Sequence, residues 1–166
     1  IVSGKALVIN LDNIDTDAII PSKYLIMPRE EWRKHVFEGL VLNKSLKIHK
    51  DTIIVTGKNF GCGSSRVEAV YALKDAGVIA VVAKSFARIF FRNAISVNLP
   101  VIECDLTEIV MDGDTLLIDL DKGIVLKNGE AVCSFSLPSL IKEIFKIGFL
   151  NWIKKLEKIG DEIGKN

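Results

Sequence analysis

The fold of this chain is set by one stretch, residues 52–76, which reads TIIVTGKNFGCGSSRVEAVYALKDA. Its first five residues are β-branched, which is typical of a buried strand. Residues 66–76 place small apolar side chains on one helical face, which permits close packing of a helix against a sheet. A turn with three glycines, two serines and an arginine separates the two parts. A strand that runs through such a turn into a helix predicts a β-α-β unit.

The turn at residues 57–66 has the residue types of an anion site. Glycine lets the backbone approach a ligand closely, and a helix that begins there presents unpaired N–H groups and a partial positive charge. Ser64 and Ser65 add hydroxyls, and the Arg66 guanidinium can hold a carboxylate or phosphate with two hydrogen bonds. A simpler role, in which a serine only caps the helix, fits the turn equally well. The order of residues matches no known phosphate loop, so the turn does not favour a nucleotide site.

Composition and charge restrict the class of protein. A length of 166 residues with 49% apolar side chains predicts one domain, residues 1–166, whose last residues, 160–166, form a frayed tail. The net charge is +1 and the charges are interspersed, so no nucleic-acid partner is predicted. No apolar stretch approaches the roughly 20 residues that cross a bilayer, and residues 1–20 show no signal-peptide pattern. The sequence therefore predicts a cytoplasmic protein that contacts no membrane.

The cysteines do not form a metal-binding motif. Cys62, Cys104 and Cys133 are widely spaced, and only His35 and His49 could add imidazole ligands. We therefore predict that this chain binds no zinc or iron–sulfur cluster of its own. The cysteines fit a reducing compartment, and Cys62 is expected to be a small buried residue.

The remaining chain alternates between strand and helix patterns before it changes character near residue 114. Pro28 is expected to open a helix whose first turn contains residues 29–31, Ser85 to cap the helix at 85–95, and Gly77 to end the helix at 66–76. The predicted strands are 6–9, 52–56, 78–83, 100–103, 115–120, 124–126 and 131–133. Turn signals at 121–123 and 127–129 predict hairpins, and two amphipathic helices follow at 139–149 and 152–159. The pattern predicts an α/β fold with a mixed, partly parallel sheet flanked by helices.

Four segments of the chain together resemble one family. They are NIDTD at 13–17, GKNFGCGSSR at 57–66, SFARIFFRN at 85–93 and NLP at 98–100. In this order and spacing they resemble the small subunits of 3-isopropylmalate dehydratase and homoaconitase, which correspond to the swivelling domain of aconitase. The resemblance implies an aconitase-like swivelling β/β/α domain. It also implies a hydro-lyase that is active only with a large subunit, and that large subunit would carry a [4Fe–4S] cluster.

The resemblance implies roles for the residues of the turn and of the first loop. Ser64 falls on the position of the catalytic serine, which removes a proton from the substrate. Ser65 and Arg66 fall on positions that bind a substrate carboxylate, and Asp17 falls on an active-site aspartate. For Thr16, a capped turn and direct contact with the substrate stay equally open.

The loop at residues 24–27 resembles the loop that selects the substrate in this family. Ile26 and Met27 are apolar, which suits an isopropyl group, whereas homoaconitase-like members tend to carry arginine there. Burying a carboxylate against two apolar side chains without a partner costs roughly several kcal/mol, although Lys23 or Arg29 could supply a cation. The resemblance therefore implies an isopropylmalate dehydratase of leucine biosynthesis acting on a small hydroxy acid with two or three carboxylates. A homoaconitase or another aconitase-like hydro-lyase is the alternative, and a non-catalytic anion-binding module is the alternative of another class.

The chain departs from the family pattern in two places. Val67 and Glu68 stand where the family usually has glutamate and then often histidine, and the effect on substrate choice is left open. Asn98 stands where the family usually has glycine, and we expect it to adopt a positive φ, which asparagine tolerates. Whether the isolated chain forms a homo-oligomer is also left open.

Overall fold

A computed structural model describes residues 1–42 and 46–164 of the chain. Its centre is a seven-stranded sheet in the order β4-β3-β2-β1-β5-β6-β7. The first four strands pair in parallel, and β5, β6 and β7 add antiparallel neighbours beyond β1. The strands are β1 Val2–Ile9, β2 Thr52–Thr56, β3 Val78–Ala83, β4 Val101–Glu103, β5 Thr115–Asp119, β6 Ile124–Lys127 and β7 Glu130–Ser134. The predicted mixed, partly parallel sheet is thus confirmed.

Helices follow or connect these strands. Within the described ranges they are α1 Thr16–Ile19, α2 Arg29–Trp32, α3 Glu68–Ala76, α4 Arg88–Ser96, α5 Ser139–Ile147 and α6 Phe149–Ile163, with a short 3₁₀ helix at Ser22–Tyr24. The part of the chain that the structure describes contains no helix both long and apolar enough to span a bilayer.

The parallel half of the sheet forms the core because helices cover it. Every residue of β2 is buried, and the small face of α3 packs against the sheet through Ala69, Ala72 and Leu73, which are fully buried. Continuous burial of a strand is what a covered parallel sheet requires. Gly77 ends α3 with φ +111°, as predicted.

Several predicted boundaries are wrong. Helix α3 begins at Glu68 rather than residue 66, and α4 begins at Arg88, so Ser85 does not cap it. Gly148, with φ +85°, separates α5 from α6 one residue earlier than the predicted end of α5. Helix α6 continues to Ile163, so residues 160–163 are helical rather than a frayed tail, and residues 165–166 lie outside the described residues.

The structure also corrects the expectation for two cysteines. Cys104 and Cys133 form a disulfide, with their Cα atoms 6.4 Å apart. Cys104 directly follows β4 and Cys133 lies in β7, and these strands are the two ends of the strand order. The twisted sheet therefore curls until its edges meet. Sequence spacing could not show this contact, and the expectation of reduced cysteines is wrong for this pair.

Candidate functional site

The candidate site lies where the first two parallel strands end. The loops after β1 and β2 continue to pair beyond the strands. Asn13 N donates to Lys58 O at 2.8 Å, Gly61 N donates to Ile14 O at 2.8 Å, and the next rung joins Thr16 N to Cys62 O at 2.9 Å. Ligands of open parallel sheets bind outside the carboxyl ends of the strands. The predicted segments at 13–17 and 57–66 therefore meet at the edge where a ligand is expected.

The loop after β3 supports this pair from the other side. Phe60 N donates to Ser85 O at 3.1 Å, and Ala87 N donates to Phe60 O at 2.9 Å. The hydroxyl of Ser85 accepts from Asn59 N at 2.8 Å, so Ser85 holds the loop instead of capping α4. Segment 85–93 is thus a structural support of the site.

Gly61 shows why this loop needs glycine. Its φ is +79°, and a Cβ added there would lie 2.2 Å from Cγ of Phe90. The Phe90 ring packs edge-to-face against Phe60, with centroids 5.1 Å apart, and stacks with Phe86. The loop therefore lies directly on an aromatic cluster, and a side chain at position 61 would displace it.

Ser64 lies exposed on the loop and contacts a buried hydroxyl. Its Oγ is 2.8 Å from Oγ1 of Thr16, and its N–H donates to the same Oγ1 at 3.3 Å. Thr16 is only 2% exposed, so it faces Ser64 rather than open surface. The alternative of a serine cap is wrong, because α3 begins at Glu68 and its N-cap residue, Val67, makes no side-chain cap.

Arg66 is anchored beside Ser64. Its Nη1 donates to Ile20 O at 3.3 Å, and its Nη2 lies 3.5 Å from Oδ1 of Asp17. The N–H of Ser22 donates to the same Asp17 oxygen at 2.9 Å. The pKa of the Asp17 carboxyl is held below its usual value, chiefly by this backbone N–H. The Ser22 hydroxyl and the Arg66 guanidinium lower the pKa further. Asp17 thus stays ionised into acidic solution and keeps Arg66 oriented.

Other residues of the two loops have structural tasks. The Asp15 carboxylate caps α1 by accepting from Ala18 N at 2.7 Å. Ser65 is exposed, and its carbonyl accepts from Nδ2 of Asn93 at 3.2 Å. Asn93 ends one of the four family segments, but its residue type alone predicted no role. Asn93 ties α4 to the serine pair.

Cys62 is partly exposed, not buried as expected. The pKa of the Cys62 thiol is raised, chiefly because the thiol is partly desolvated and also because the Asp15 carboxylate is nearby. The thiol is therefore protonated at neutral pH and is a poor nucleophile.

The loop with Ile26 and Met27 leaves both side chains accessible. Ile26 is 91% exposed and Met27 is 39% exposed. Trp32 Nε1 donates to Met27 O at 3.2 Å, and Met27 N donates to Tyr24 O at 3.0 Å, which closes the turn. The loop begins two residues after Ser22, whose N–H donates to Asp17. An exposed apolar side chain in a turn with a fixed backbone is available to a ligand.

Of the two cations considered for this loop, Arg29 is engaged elsewhere, whereas Lys23 lies against the loop itself. Arg29 makes two hydrogen bonds to Asp75, at 2.7 and 2.9 Å, and its guanidinium lies 4.0 Å from the Tyr71 ring centroid. Asp75 is near the far end of α3, about 10 Å along the helix from its start. The Lys23 ammonium lies 4.9 Å from the Tyr24 ring centroid.

The structure also shows the surroundings of the residues that depart from the family pattern. Asn98 adopts φ +57°, as expected, and its Oδ1 is buried with no hydrogen-bond partner among the described residues. Glu68 is partly buried and has no recorded partner within ranges 1–42 and 46–164, so Arg66 is held by Asp17 and Ile20 instead.

Neither a group of metal ligands nor a deep cavity in the described residues offers a competing candidate site. In the described part of the chain, no three Cys, His, Asp or Glu residues are grouped to hold a metal ion. A cleft of about 470 Å³ lies at the far end of α3, lined among others by Tyr71, Lys74, Asn98 and Phe149. Its lining includes none of the predicted site residues, which lie on the open edge of the sheet.

Comparison with known proteins agrees with the fold. A family model described as the Aconitase C-terminal domain matches residues 38–105. The 3-isopropylmalate dehydratase small subunit 1 of Archaeoglobus fulgidus is 47% identical over 151 residues, covering 89% of this chain and 94% of that protein. The isopropylmalate/citramalate isomerase small subunit of Methanocaldococcus jannaschii is 45% identical over 149 residues, covering 87% and 89%.

A solved structure extends the likeness to nearly the whole chain. The crystal structure of 3-isopropylmalate dehydratase from Methanocaldococcus jannaschii superposes with a TM-score of 0.84 at 40% identity, covering 97% of this chain and 98% of that one. Sequence identity of this size over almost the full length shows the family as well as the fold. The chain therefore belongs to the family of 3-isopropylmalate dehydratase small subunits.

Proposed function

We propose that this chain is the small subunit of a 3-isopropylmalate dehydratase, a hydro-lyase of leucine biosynthesis that acts in the cytoplasm together with a large subunit. The observation that supports this most is the exposed Ser64 hydroxyl, 2.8 Å from the buried hydroxyl of Thr16. Arg66 lies two residues further along the same loop. A base and a carboxylate-binding cation thus share one edge of the sheet.

Ser64 is proposed as the catalytic base. As an alkoxide it would take the proton from the carbon next to a substrate carboxylate, while the hydroxyl on the neighbouring carbon departs and a C=C bond forms. Water then adds back in the opposite sense. A serine hydroxyl is too weak an acid to ionise unaided at neutral pH, so donors and positive charge must stabilise the oxyanion. Thr16 Oγ1–H can supply such a donor, and Arg66 the charge.

Ser65 and Arg66 are proposed to bind a substrate carboxylate, and Asp17 is proposed to position Arg66 for this. Arg66 uses one N–H on Ile20 O and a second on Asp17, so three of the five guanidinium N–H donors remain for a substrate. Asp17 orients this guanidinium rather than binding an anion itself. The Ser65 hydroxyl lies on the exposed side of the same loop.

The open site implies that another surface completes it. Ser64 and Ser65 are exposed, and the reaction must be shielded from bulk solvent. We propose that a large subunit covers this edge and carries the [4Fe–4S] cluster, which would supply a Lewis acid for the departing hydroxyl. The described residues of this chain do not fit such a cluster.

The apolar loop supports isopropylmalate as the substrate. Ile26 and Met27 can contact an isopropyl group, and Arg29, bound to Asp75, is not placed to pair with a third carboxylate. Homoaconitase activity is the alternative. Ile26→Arg should shift the ratio of kcat/KM values toward homocitrate, because it adds a partner for the distant carboxylate and crowds the isopropyl pocket. An unchanged ratio would remove this loop from the substrate pocket.

Reconstitution tests the function directly. The chain is combined anaerobically with the large subunit of the same genome and assayed on isopropylmalate, citramalate, homocitrate and citrate. Ser64→Ala should lower kcat on the order of 10²–10⁴-fold and leave iron content unchanged, because it removes a base and no ligand. Turnover near that of the wild type would overturn the assignment. A complex inactive on all four acids would favour the non-catalytic anion-binding module.

A further inference from the structure

Helix α4 carries a cationic surface beside the candidate site. We define the α4 surface as Arg88, Ile89 and Arg92. Both arginines are exposed, and Ile89 is 47% exposed. The other hydrophobic residues of this helix point inward, with Phe90 and Ala94 buried. The α4 surface is thus the outer face of a helix whose inner face belongs to the core.

The positive charges of Arg88 and Arg92 do not stabilise helix α4. Arg88 is the first residue of α4, where a cation opposes the helix dipole, and the first turn holds no acidic residue. Arg92 lies one turn further on the same face, so the two like charges also repel each other. Within the described residues neither arginine has a recorded ion pair. Their placement therefore suits an acidic group from outside the chain.

The α4 surface borders the site through its backbone and through Asn93. Ala87, directly before Arg88, donates its N–H to Phe60 O at 2.9 Å, and Asn93, directly after Arg92, donates to Ser65 O at 3.2 Å. The residues that flank the α4 surface thus contact the loop that carries Ser64, and a macromolecule large enough to cover this loop would also reach the α4 surface.

We infer that the α4 surface is a docking site for an acidic patch of the large subunit, an inference that rests on the proposed function. Arginine is enriched at protein interfaces because it combines charge with a broad apolar stem, and Ile89 between the two arginines adds apolar contact. Charge pairs at the rim of an interface mainly set the association rate and its salt dependence. The α4 surface would thus bring the two subunits together in the orientation that places Ser64 opposite the reacting atoms.

The test is a charge reversal with a matched control. Arg88→Glu/Arg92→Glu is compared with Lys154→Glu/Lys158→Glu, which makes the same charge change on exposed residues of α6. The dissociation constant for the large subunit is measured at low and high salt by surface plasmon resonance. We expect it to rise about tenfold or more for the α4 variant at low salt, with weaker salt dependence, and to change little for the control. At saturating large subunit, kcat and KM should stay near the wild-type values.

The variant is designed so that unfolding does not explain a loss of binding. Glutamate near a helix N-terminus is favourable, so the melting temperature of the α4 variant should equal or exceed that of the wild type. Unchanged affinity would overturn this inference alone. A raised substrate KM at saturating partner would instead assign the arginines to the substrate. Loss of a wild-type self-association would assign the surface to a second copy. A wild-type chain that does not bind the large subunit at all would overturn the proposed function together with this inference.

Discussion

Thr16→Val is the most informative perturbation of the site. Threonine and valine have nearly the same shape, so the exchange removes one hydroxyl from a residue that is only 2% exposed. That hydroxyl lies 2.8 Å from Ser64 Oγ and accepts from Ser64 N at 3.3 Å. If Ser64 acts as an alkoxide, Thr16 must be the donor of the shorter bond.

The size of the effect follows from the charge on Ser64. A hydrogen bond to a charged group contributes about 1.5–3 kcal/mol, and each 1.36 kcal/mol changes a rate tenfold. Thr16→Val should therefore lower kcat roughly 10- to 150-fold. KM should change little, because the hydroxyl faces Ser64 rather than the surface. Thr16→Ser keeps the hydroxyl and should retain most of kcat.

The assay is steady-state and single-turnover kinetics of the reconstituted enzyme, with cluster content and melting temperature as controls. A kcat of Thr16→Val equal to that of the wild type would refute the role of Thr16 as a donor. A lower kcat in Thr16→Ser beside a wild-type kcat in Thr16→Val would show that packing of the methyl group, not the hydrogen bond, is what matters.

Two further predictions concern the same loop. Arg66→Lys should raise KM for the substrate more than it lowers kcat, because a point charge cannot replace a bidentate fork; an unchanged KM in steady-state kinetics would exclude Arg66 from substrate binding. Gly61→Ala should lower the free energy of unfolding by about 2–5 kcal/mol, combining left-handed strain of about 1–2 kcal/mol with overpacking against Phe90 of about 1–3 kcal/mol. Gly63→Ala, whose added Cβ would meet its nearest atom at 3.3 Å, should lose only the first part; equal losses in urea unfolding would contradict the contact with Phe90.

Local sequence determined those strands and turns whose residue pattern fits only one kind of backbone structure. Strands β2 and β3 match their predicted bounds, because runs of β-branched and small apolar residues fit a covered sheet. Asn128 and Gly129 adopt φ +49° and +94° in the hairpin of β6 and β7, since that two-residue turn needs positive φ at both positions. The family segments at 13–17 and 57–66 likewise named two loops that the structure brings into contact.

Helix starts were less predictable, because they depend on partners distant in the sequence. Residues that read as the first turns of α3 and α4 are instead held by other loops. The Ser65 carbonyl bonds to Asn93, and the Ser85 carbonyl bonds to Phe60 N. A backbone group that bonds to such a distant partner no longer makes the hydrogen bond of a helix, and the local sequence does not show which of the two bonds will form.

The contact between Thr16 and Ser64 was decided only by the tertiary structure. The two residues are 48 positions apart, and they meet because β1 and β2 pair in parallel with Ile9 opposite Thr56, so that both following loops leave the same edge. The disulfide of Cys104 and Cys133 likewise needs the curl of the whole sheet. The sequence by itself determined the chemical groups and the loops that hold them. Strand register and sheet curvature, which depend on packing of the entire core, determined which of those groups touch.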